Sequence, residues 1–317
     1  MIKKIHSIEP IGDETIKIVE ENTGCRFVYV PRDEFLNSGI LTDVEALVCR
    51  DRDDINAIID ACPSLSFMFI VSVGVERLPF ERLAERGITV CNPRGLNSPI
   101  MAEYVLGAIL AHSTRIWENL KNQFQSHWKK FQCVEPLNGK KLLVIGAGST
   151  GSLIAQKAKM FGMKTIGIKR RKTIVPEFDE IGTLDDLEDV LPDADFVVCT
   201  IPLTPSTERL FTERRFRMMK TSALFVNISR GKIISENDLV KCLESGTPGA
   251  AVLDVFEKEP LTPESPLWKT NNLYVTPHSS GRLQNFVDKT MAYLIESVNA
   301  VNSGKDVPNK VDLIYGY

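Results

Sequence analysis

The sequence predicts an α/β protein built on two parallel sheets with helices on their faces. Short apolar runs that suit buried strands alternate with helical patterns along almost the whole chain. A glycine-rich turn near residue 146 opens a second series of this alternation. The length of 317 residues corresponds to about two domains and allows sizeable hydrophobic cores.

The first series contains four apolar runs that we interpret as strands, at 25–30, 46–49, 67–71 and 88–91. Helical patterns at 53–61 and 79–86 lie between them, which predicts a parallel sheet. A longer helical pattern begins near Ser98 and runs toward Glu118, because apolar residues such as Tyr104 and Ala108 recur at three- and four-residue spacing. A polar arm at 119–131 follows and includes Trp128.

The second series opens with L-L-V-I-G-A-G-S-T-G at 142–151. A buried strand leads into Gly146, Gly148 and Gly151, and a helical pattern follows at once. This pattern is typical of dinucleotide binding, since the glycines permit a tight turn, close approach of a phosphate and close packing of the helix on the strand. The free N–H groups at the helix start, around Ser149 and Thr150, would face the phosphates. A glycine-rich turn that binds nothing is the alternative.

Five more strands are predicted after this turn, at 164–168, 196–200, 223–228, 250–253 and 273–276. The resulting six strands match a complete doubly wound dinucleotide-binding sheet. A last helical pattern at 283–301 can cross back to the first domain. We therefore expect two Rossmann-like domains with a cleft between them: a discontinuous, flavodoxin-like domain at 1–98 plus 284–317, and a doubly wound domain at 99–283.

Composition argues against several other classes of protein. The net charge of −3 does not suit a general nucleic-acid binder, and no apolar run approaches the length of about 18 residues that a membrane span needs. The N-terminus lacks the long apolar core of a signal peptide. The cysteines are scattered without a C-x-x-C pair, which predicts buried, reduced thiols in a cytoplasmic protein and argues against a metal site. They are Cys25, Cys49, Cys62, Cys91, Cys133, Cys199 and Cys242.

Candidate catalytic residues follow three strands of the second series. Arg230 follows the run at 223–228, the carboxylates Asp254, Glu257 and Glu259 follow 250–253, and His278 follows 273–276. Ligands bind beyond the carboxyl ends of strands in an open parallel sheet, so these side chains share one edge with the glycine turn. An arginine that pairs with a carboxylate, a histidine that exchanges a proton and a carboxylate that orients the imidazole suit hydride transfer at a carbonyl. Taken singly, each residue could hold a loop in place or be a solvated surface charge. Their occurrence together at successive strand ends favours catalysis.

With these residues the chain resembles the D-isomer-specific 2-hydroxyacid dehydrogenase family. The matching segments follow the family's order through nearly the whole chain: V-S-V-G-V-E at 71–76, N-P-R-G-L-N-S-P-I-M-A-E at 92–103, L-N-G-K-K-L-L-V-I-G-A-G-S-T-G at 137–151, I-P-L-T-P-S-T at 201–207, N-I-S-R-G at 227–231, L-D-V-F-E-K-E-P at 253–260 and T-P-H-S-S-G at 276–281.

The resemblance implies roles for individual residues. Arg230, Glu259 and His278 match the family's catalytic arginine, carboxylate and proton-donating histidine, and Asp254 matches the residue that binds the nicotinamide amide. The loop whose backbone N–H groups hold the substrate carboxylate corresponds to Ser72, Val73 and Gly74. The resemblance thus makes 1–98 plus 284–317 the substrate domain and 99–283 the dinucleotide-binding domain. Positions beside the cofactor correspond to Pro202, Thr207 and Ile228.

The resemblance also implies a homodimer, with the long helix near residue 100 and the arm around Trp128 packed across the two-fold axis. An exposed helix and arm with no function of their own are the alternative. Glu76 stands where the family usually has aspartate, and we expect that position to be structural.

The basic turn after the run at 164–168 predicts a preference for NADP(H). In an NAD enzyme, an acidic residue about 20 positions after the glycine turn accepts hydrogen bonds from the ribose 2′-OH. Here the turn reads Lys169, Arg170, Arg171 and Lys172. Cations pair with the 2′-phosphate of NADP, whereas a carboxylate would repel it. NAD(H) use stays possible, and a solvated basic turn in an enzyme of mixed cofactor use is the alternative.

These observations predict NAD(P)H-dependent, reversible reduction of a small 2-keto acid to the D-2-hydroxy acid, with a hydride from nicotinamide C4 and a proton from His278. One alternative is a dehydrogenase of the same superfamily that acts on 3-phosphoglycerate, formate or phosphite, with Arg94 as the clear extra cation for a phosphate. Another is a dimeric binding protein that senses the cofactor. The residues do not separate a small acid such as glyoxylate or hydroxypyruvate from a branched 2-keto acid.

Overall fold

The computed structural model describes residues 1–37, 41–130 and 134–316. The chain divides into two compact units: unit 1 is Met1–Leu96 with Leu283–Tyr317, and unit 2 is Asn97–Arg282. Each unit is an α/β structure with one parallel sheet, so the predicted fold class is confirmed. The roles assigned to the two domains and the cleft between them stay predictions.

Unit 1 is built on five parallel strands in the order β2-β1-β3-β4-β5, which is the flavodoxin-like order. The strands are β1 (Lys4–Ser7), β2 (Arg26–Tyr29), β3 (Ala46–Cys49), β4 (Phe67–Ile70) and β5 (Thr89–Cys91). The helices that connect them are α1 (Asp13–Thr23), α2 (Arg32–Phe35), α3 (Ile55–Ala61) and α4 (Phe80–Glu85). The sequence pattern does not predict β1, because Lys4 and His6 interrupt its apolar residues.

Unit 2 is built on seven parallel strands in the order β12-β11-β10-β9-β6-β7-β8. The strands are β6 (Lys141–Ile145), β7 (Lys164–Ile168), β8 (Glu180–Gly182), β9 (Phe196–Cys199), β10 (Leu224–Asn227), β11 (Ala250–Leu253) and β12 (Leu273–Val275). The helices are α5 (Ser98–Ser113), α6 (Ile116–Phe124), α7 (Ser149–Lys159), α8 (Leu187–Val190), α9 (Glu213–Met218) and α10 (Glu236–Glu244). The six predicted strands are present, and the short edge strand β8 adds a seventh.

The long helix predicted from Ser98 toward Glu118 is two helices. The chain breaks between α5 and α6, where Arg115 adopts a left-handed backbone conformation with φ of 60°. Just before the break, the Ser113 hydroxyl donates to the Ile109 carbonyl at 2.8 Å and the Thr114 hydroxyl to the Leu110 carbonyl at 2.6 Å. Such side-chain bonds compete with the backbone ladder and favour the end of a helix.

The cores follow the alternation of side chains along the strands. In β6, Leu143 and Ile145 pack on one face of the sheet, while Leu142 and Val144 pack on the other against α5 and α7. The last helix, α11 (Phe286–Ser303), returns to unit 1 and buries Met291, Leu294 and Val298 with β-strand residues of that unit.

The six cysteines that the structure describes are buried, as predicted, and carry free thiols. Cys133 and the end of the predicted arm at residue 131 lie outside the described residues. Among the described helices, none is both long enough and apolar enough to cross a membrane. A cytoplasmic location stays a prediction.

Candidate active site

The predicted catalytic residues lie on three loops of unit 2 that follow β10, β11 and β12. These strands are neighbours in the sheet and run parallel, so their carboxyl ends meet at one edge. Arg230 lies on the first loop, Glu259 on the second and His278 on the third. The topology therefore places the three residues at one edge of a single unit.

Glu259 and His278 form a direct pair. The Nδ1 atom of His278 lies 2.7 Å from Oε2 of Glu259, and the other carboxylate oxygen accepts a hydrogen bond from the Phe256 amide at 3.0 Å. The side chains of His278 and Glu259 are 50% and 35% exposed, so solvent and small ligands reach them. Because a carboxylate accepts hydrogen bonds, this geometry makes Nδ1 the donor and leaves Nε2 as the ring nitrogen for proton exchange.

The histidine has an unusual backbone conformation. His278 has φ of 50°, in the left-handed region that non-glycine residues seldom adopt. Its amide donates to the Thr276 carbonyl at 3.0 Å, which closes a tight turn directly after β12. Surrounding contacts must hold such a conformation in place.

Asp254 supplies several of those contacts. Its carboxylate is buried, and Oδ1 accepts from the Thr276 hydroxyl at 2.6 Å and from the Ser279 amide at 2.8 Å. The other oxygen, Oδ2, accepts from the Ser280 amide at 2.9 Å. Asp254 thus anchors the loop that carries His278; its contact with a nicotinamide amide stays a prediction.

Arg230 is half-buried on the loop after β10. Its Nη1 atom donates to the Ser229 carbonyl at 2.7 Å, and the Asn227 side-chain amide donates to the Arg230 carbonyl at 3.0 Å. The next residue, Gly231, lies so close to the neighbouring loop that an added Cβ would be 1.8 Å from the carbonyl carbon of Phe256. This close approach joins the arginine loop to the loop of Glu259.

The glycine turn brings the end of β6 and the start of α7 into close contact. Gly146 has φ of 112°, and a Cβ there would lie 2.6 Å from the Thr200 hydroxyl. A Cβ on Gly151 would lie 2.1 Å from the Gly146 carbonyl oxygen, whereas the space beside Gly148 is open. The helix α7 starts there, and the first amide groups of a helix lack acceptors within it, which is why such a helix start suits a phosphate.

Ser149 and Thr150 occupy the first turn of α7. Ser149 is exposed, while the Thr150 hydroxyl lies 2.8 Å from the Ser98 hydroxyl, which ties the helix start to α5. Their backbone amides stay candidates for the phosphate site.

The basic turn follows β7 at the same edge of the sheet. Lys169 is half-buried, and its amide donates to the Gly182 carbonyl at 3.0 Å; Arg170, Arg171 and Lys172 are exposed. Four consecutive cations therefore occupy the position where an NAD enzyme carries a carboxylate.

The remaining predicted cofactor residues lie after β9 and β10. The Thr207 hydroxyl donates to the Pro202 carbonyl at 2.8 Å and accepts from the Thr204 amide at 2.8 Å, which forms a compact turn. Ile228 is buried at the end of β10. Their contacts with a cofactor stay predictions.

In unit 1, the predicted carboxylate-binding loop follows β4. The Ser72 hydroxyl donates to Oδ1 of Asp51 at 3.0 Å, and the Asn92 side chain donates to the Val73 carbonyl at 2.7 Å. Ser72, Val73 and Gly74 are all half-buried. These contacts order the loop, and its binding of substrate stays a prediction. Glu76 is also half-buried, and its structural role stays a prediction.

Glu236 is a neighbour of the site that the sequence pattern does not predict. Its Oε1 atom accepts from the Glu257 amide at 2.6 Å, although the residue begins a helix and follows no strand directly. The rule of strand ends does not select Glu236, because the residue follows no predicted strand directly. Within the described residues, we find no group of three or more histidine, cysteine, aspartate and glutamate side chains that could hold a metal ion.

Comparison with known proteins identifies the family of the chain. Residues 106–280 match the family model for the NAD-binding domain of D-isomer specific 2-hydroxyacid dehydrogenases. A glyoxylate reductase of Thermofilum pendens is 34% identical over 258 residues, which cover 78% of this chain and 74% of that protein. A D-3-phosphoglycerate dehydrogenase of Methanocaldococcus jannaschii is 30% identical over 98% of this chain, which spans only 59% of that protein's length.

Among solved structures, a D-isomer specific 2-hydroxyacid dehydrogenase family protein of Aeromonas salmonicida is similar with a TM-score of 0.84 and 29% identity. The match covers 99% of this chain and 100% of that chain. The chain belongs to the D-isomer specific 2-hydroxyacid dehydrogenase family of NAD(P)-dependent oxidoreductases.

Proposed function

We propose that this protein reduces a small 2-keto acid to the D-2-hydroxy acid, with NADPH as the preferred electron donor. The observation that carries the proposal is the pair of His278 and Glu259 at 2.7 Å, at the sheet edge that also holds Arg230. Relatives named glyoxylate reductase support a small keto acid as substrate.

The reaction uses these residues in distinct roles. The reduced nicotinamide, when bound, supplies the hydride that the carbonyl carbon accepts. His278 gives the proton to the carbonyl oxygen from Nε2, and Glu259 holds the imidazole by Nδ1 and stabilises its charged form. Arg230 offers a guanidinium that pairs with the substrate carboxylate or polarises the carbonyl. The backbone N–H groups of Ser72, Val73 and Gly74 take the carboxylate in this proposal.

The cofactor preference rests on charge at the end of β7. Lys169, Arg170, Arg171 and Lys172 supply four positive charges where a 2′-phosphate would lie, and the exposed members can turn toward it. A phosphate gains charge-assisted hydrogen bonds from these side chains, whereas a ribose 2′-OH finds no carboxylate in the turn. We infer a preference for NADP(H) over NAD(H).

We also propose that two copies pair as a homodimer through the surface formed by α5, α6 and the arm. Trp128 and Phe124 are 91% and 85% exposed in the single chain. A cavity of about 580 Å³ on this unit is lined by apolar and aromatic side chains that include Tyr104, Trp117 and Trp268. We infer that these side chains contribute to the interface, where a second copy would cover them.

The test is NADPH oxidation, followed by absorbance, with glyoxylate, hydroxypyruvate, pyruvate, phosphohydroxypyruvate and branched 2-keto acids, repeated with NADH. We expect turnover with one or more of the unphosphorylated acids and a higher kcat/KM for NADPH than for NADH. Turnover of phosphohydroxypyruvate and of none of the other acids would favour the alternative of a dehydrogenase that acts on 3-phosphoglycerate. Binding of NADPH without turnover of any acid would contradict the reductase proposal and favour the cofactor-sensing alternative.

A further inference from the structure

Glu236 forms a reciprocal pair with Glu257 close to the catalytic residues. The Glu236 amide donates to Oε1 of Glu257 at 3.0 Å, and the Glu257 amide donates to Oε1 of Glu236 at 2.6 Å. Glu236 is the first residue of α10, which follows the loop of Arg230, and Glu257 lies on the loop that carries Glu259. The pair therefore joins the two loops by two hydrogen bonds.

The Glu257 amide, which Glu236 accepts from, directly follows the Phe256 amide, which binds the Glu259 carboxylate. Oε1 of Glu259 accepts from the Phe256 amide at 3.0 Å, and Glu236 holds the amide of Glu257, the following residue. The same peptide packs against Gly231, where an added Cβ would lie 2.3 Å from the Glu257 nitrogen. Two successive amides of one short loop are thus fixed, one by Glu259 itself and one by Glu236.

The charges at this point oppose the pair. Three carboxylates, from Glu236, Glu257 and Glu259, lie near one another, and like charges repel. Burial raises the pKa of Glu236, and the nearby charges of Glu257 and Glu259 raise it further, while the hydrogen bond from the Glu257 amide opposes them. The two reciprocal hydrogen bonds hold the loops together against this repulsion, and one of them fixes the amide next to the one that binds Glu259.

We propose that Glu236 is a positioning residue for the reaction: it fixes the loop at 256–259 so that the Glu259 carboxylate meets Nδ1 of His278. Without the Glu236 acceptor, the Glu257 amide loses its partner and the loop can turn, which moves Glu259 away from the imidazole. This inference rests on the proposed function for its effect on turnover, but its effect on His278 is independent of any substrate.

The test compares E236A, which removes the acceptor, with E236Q, which keeps an acceptor oxygen and removes the charge. The matched control is E244A, since Glu244 is an exposed glutamate at the other end of the same helix. The first readout is the tautomer of His278, from ring ¹⁵N chemical shifts of the protein without ligands at mildly alkaline pH. The chain has only four histidines, and an H278Q sample identifies the His278 signals by their loss.

We expect the Nδ1–H tautomer for His278 in the wild type, E236Q and E244A. In E236A we expect a mixture of tautomers for His278, with the exposed His127 as the reference in the same spectrum. The second readout is steady-state reduction of the best 2-keto acid: kcat of E236A should fall roughly tenfold to hundredfold with an unchanged KM for NADPH, because small misplacements of catalytic groups are costly. E236Q should restore most of kcat.

An unchanged His278 tautomer in a folded E236A would overturn the inference, as would equal kcat in E236A and E244A. Should E236A fail to fold, E236D, which withdraws the carboxylate by one methylene, is measured in the same two ways. A wild type that turns over no 2-keto acid defeats the proposed function alone, because the tautomer measurement still decides the role of Glu236.

Discussion

Replacement of Gly231 by alanine tests whether the loops of Arg230 and Glu259 must lie in contact. A Cβ at this position would lie 1.8 Å from the carbonyl carbon of Phe256 and 2.1 Å from its oxygen. Ordinary contact begins at 3.4 Å, so the two loops must separate by about 1.6 Å, the difference between these distances. The clashing atoms belong to the backbone, so no side-chain rotation can relieve the clash.

The separation would move the arginine away from the pair of Glu259 and His278. We expect kcat for 2-keto acid reduction to fall about 100-fold, because a displacement of 1 Å can cost that much in rate. We also expect a loss of about 1–3 kcal/mol in the free energy of unfolding of unit 2, the usual cost of overpacking. Steady-state kinetics and urea unfolding measured by tryptophan fluorescence give both quantities, since Trp117, Trp128 and Trp268 all lie in unit 2.

Gly12 provides the matched control. It has φ of −65°, lies at the start of α1 in unit 1, and has no atom within 4 Å of an added Cβ. G12A should keep full activity and leave the fluorescence-detected unfolding of unit 2 unchanged, because the substitution lies in unit 1. If G231A retains the kcat and the unfolding midpoint of G12A, the two loops do not depend on this close contact, and the role given to Gly231 is wrong.

Three further predictions concern the proposed chemistry and assembly. H278A should lower kcat by about 10²–10⁴-fold with little change in NADPH affinity, measured by kinetics and by fluorescence titration of NADPH; near-normal turnover would remove the histidine from the mechanism. The double variant K169D/R170A should raise the KM for NADPH far more than the KM for NADH, and equal effects on both cofactors would contradict the assignment of the basic turn. W128A should shift the molar mass from light scattering toward the monomer at low protein concentration, and an unchanged mass would place the interface elsewhere.

The strands that the sequence predicted well are those buried on both faces. In β6, β9 and β10, continuous apolar runs such as Leu142–Ile145 mark a parallel sheet covered by helices. β1 lacked this signal, because Lys4 and His6 interrupt its apolar residues, and only the sheet around it makes His6 buried. β8 is a three-residue edge strand whose first residue, Glu180, is exposed, so its pattern resembles that of a loop.

The candidate site was predictable because topology alone gathers the ends of parallel strands at one edge. That rule selects the loops of Arg230, Glu259 and His278 from the order of strands along the chain. Which carboxylate meets the imidazole is a question of distance, and the residues alone leave Glu257 and Glu259 as equal candidates until the family resemblance favours Glu259. Glu236 could not be found in this way, since it reaches Glu257 from the start of a helix through contacts that only the folded chain creates.

The burial of His6, which packing reveals and the sequence pattern does not, leads to a prediction about the stability of unit 1 in acid. This side chain is fully buried in β1, and neither ring nitrogen has a hydrogen-bond partner among the described residues. Burial lowers the pKa of His6, the charge of Lys4 lowers it further, and Asp43 opposes them. In the unfolded chain the ring regains its ordinary value of 6.5, so below that pH the unfolded state binds the proton more readily than the folded state.

Stability of unit 1 should therefore be fully present above pH 6.5 and fall as the pH decreases toward the lowered pKa of the folded state. One proton contributes at most about 1.4 kcal/mol per pH unit to this loss. H6L, which places an apolar side chain in the strand, should reduce the slope of the stability of unit 1 against pH. H127Q, at an exposed histidine, should leave that slope unchanged. Because every tryptophan lies in unit 2, the measurement is amide hydrogen exchange of β1 and β3 between about pH 5 and 7.5, corrected for intrinsic rates. Equal slopes in the wild type and H6L would show that protonation of His6 does not limit the stability of unit 1 in acid.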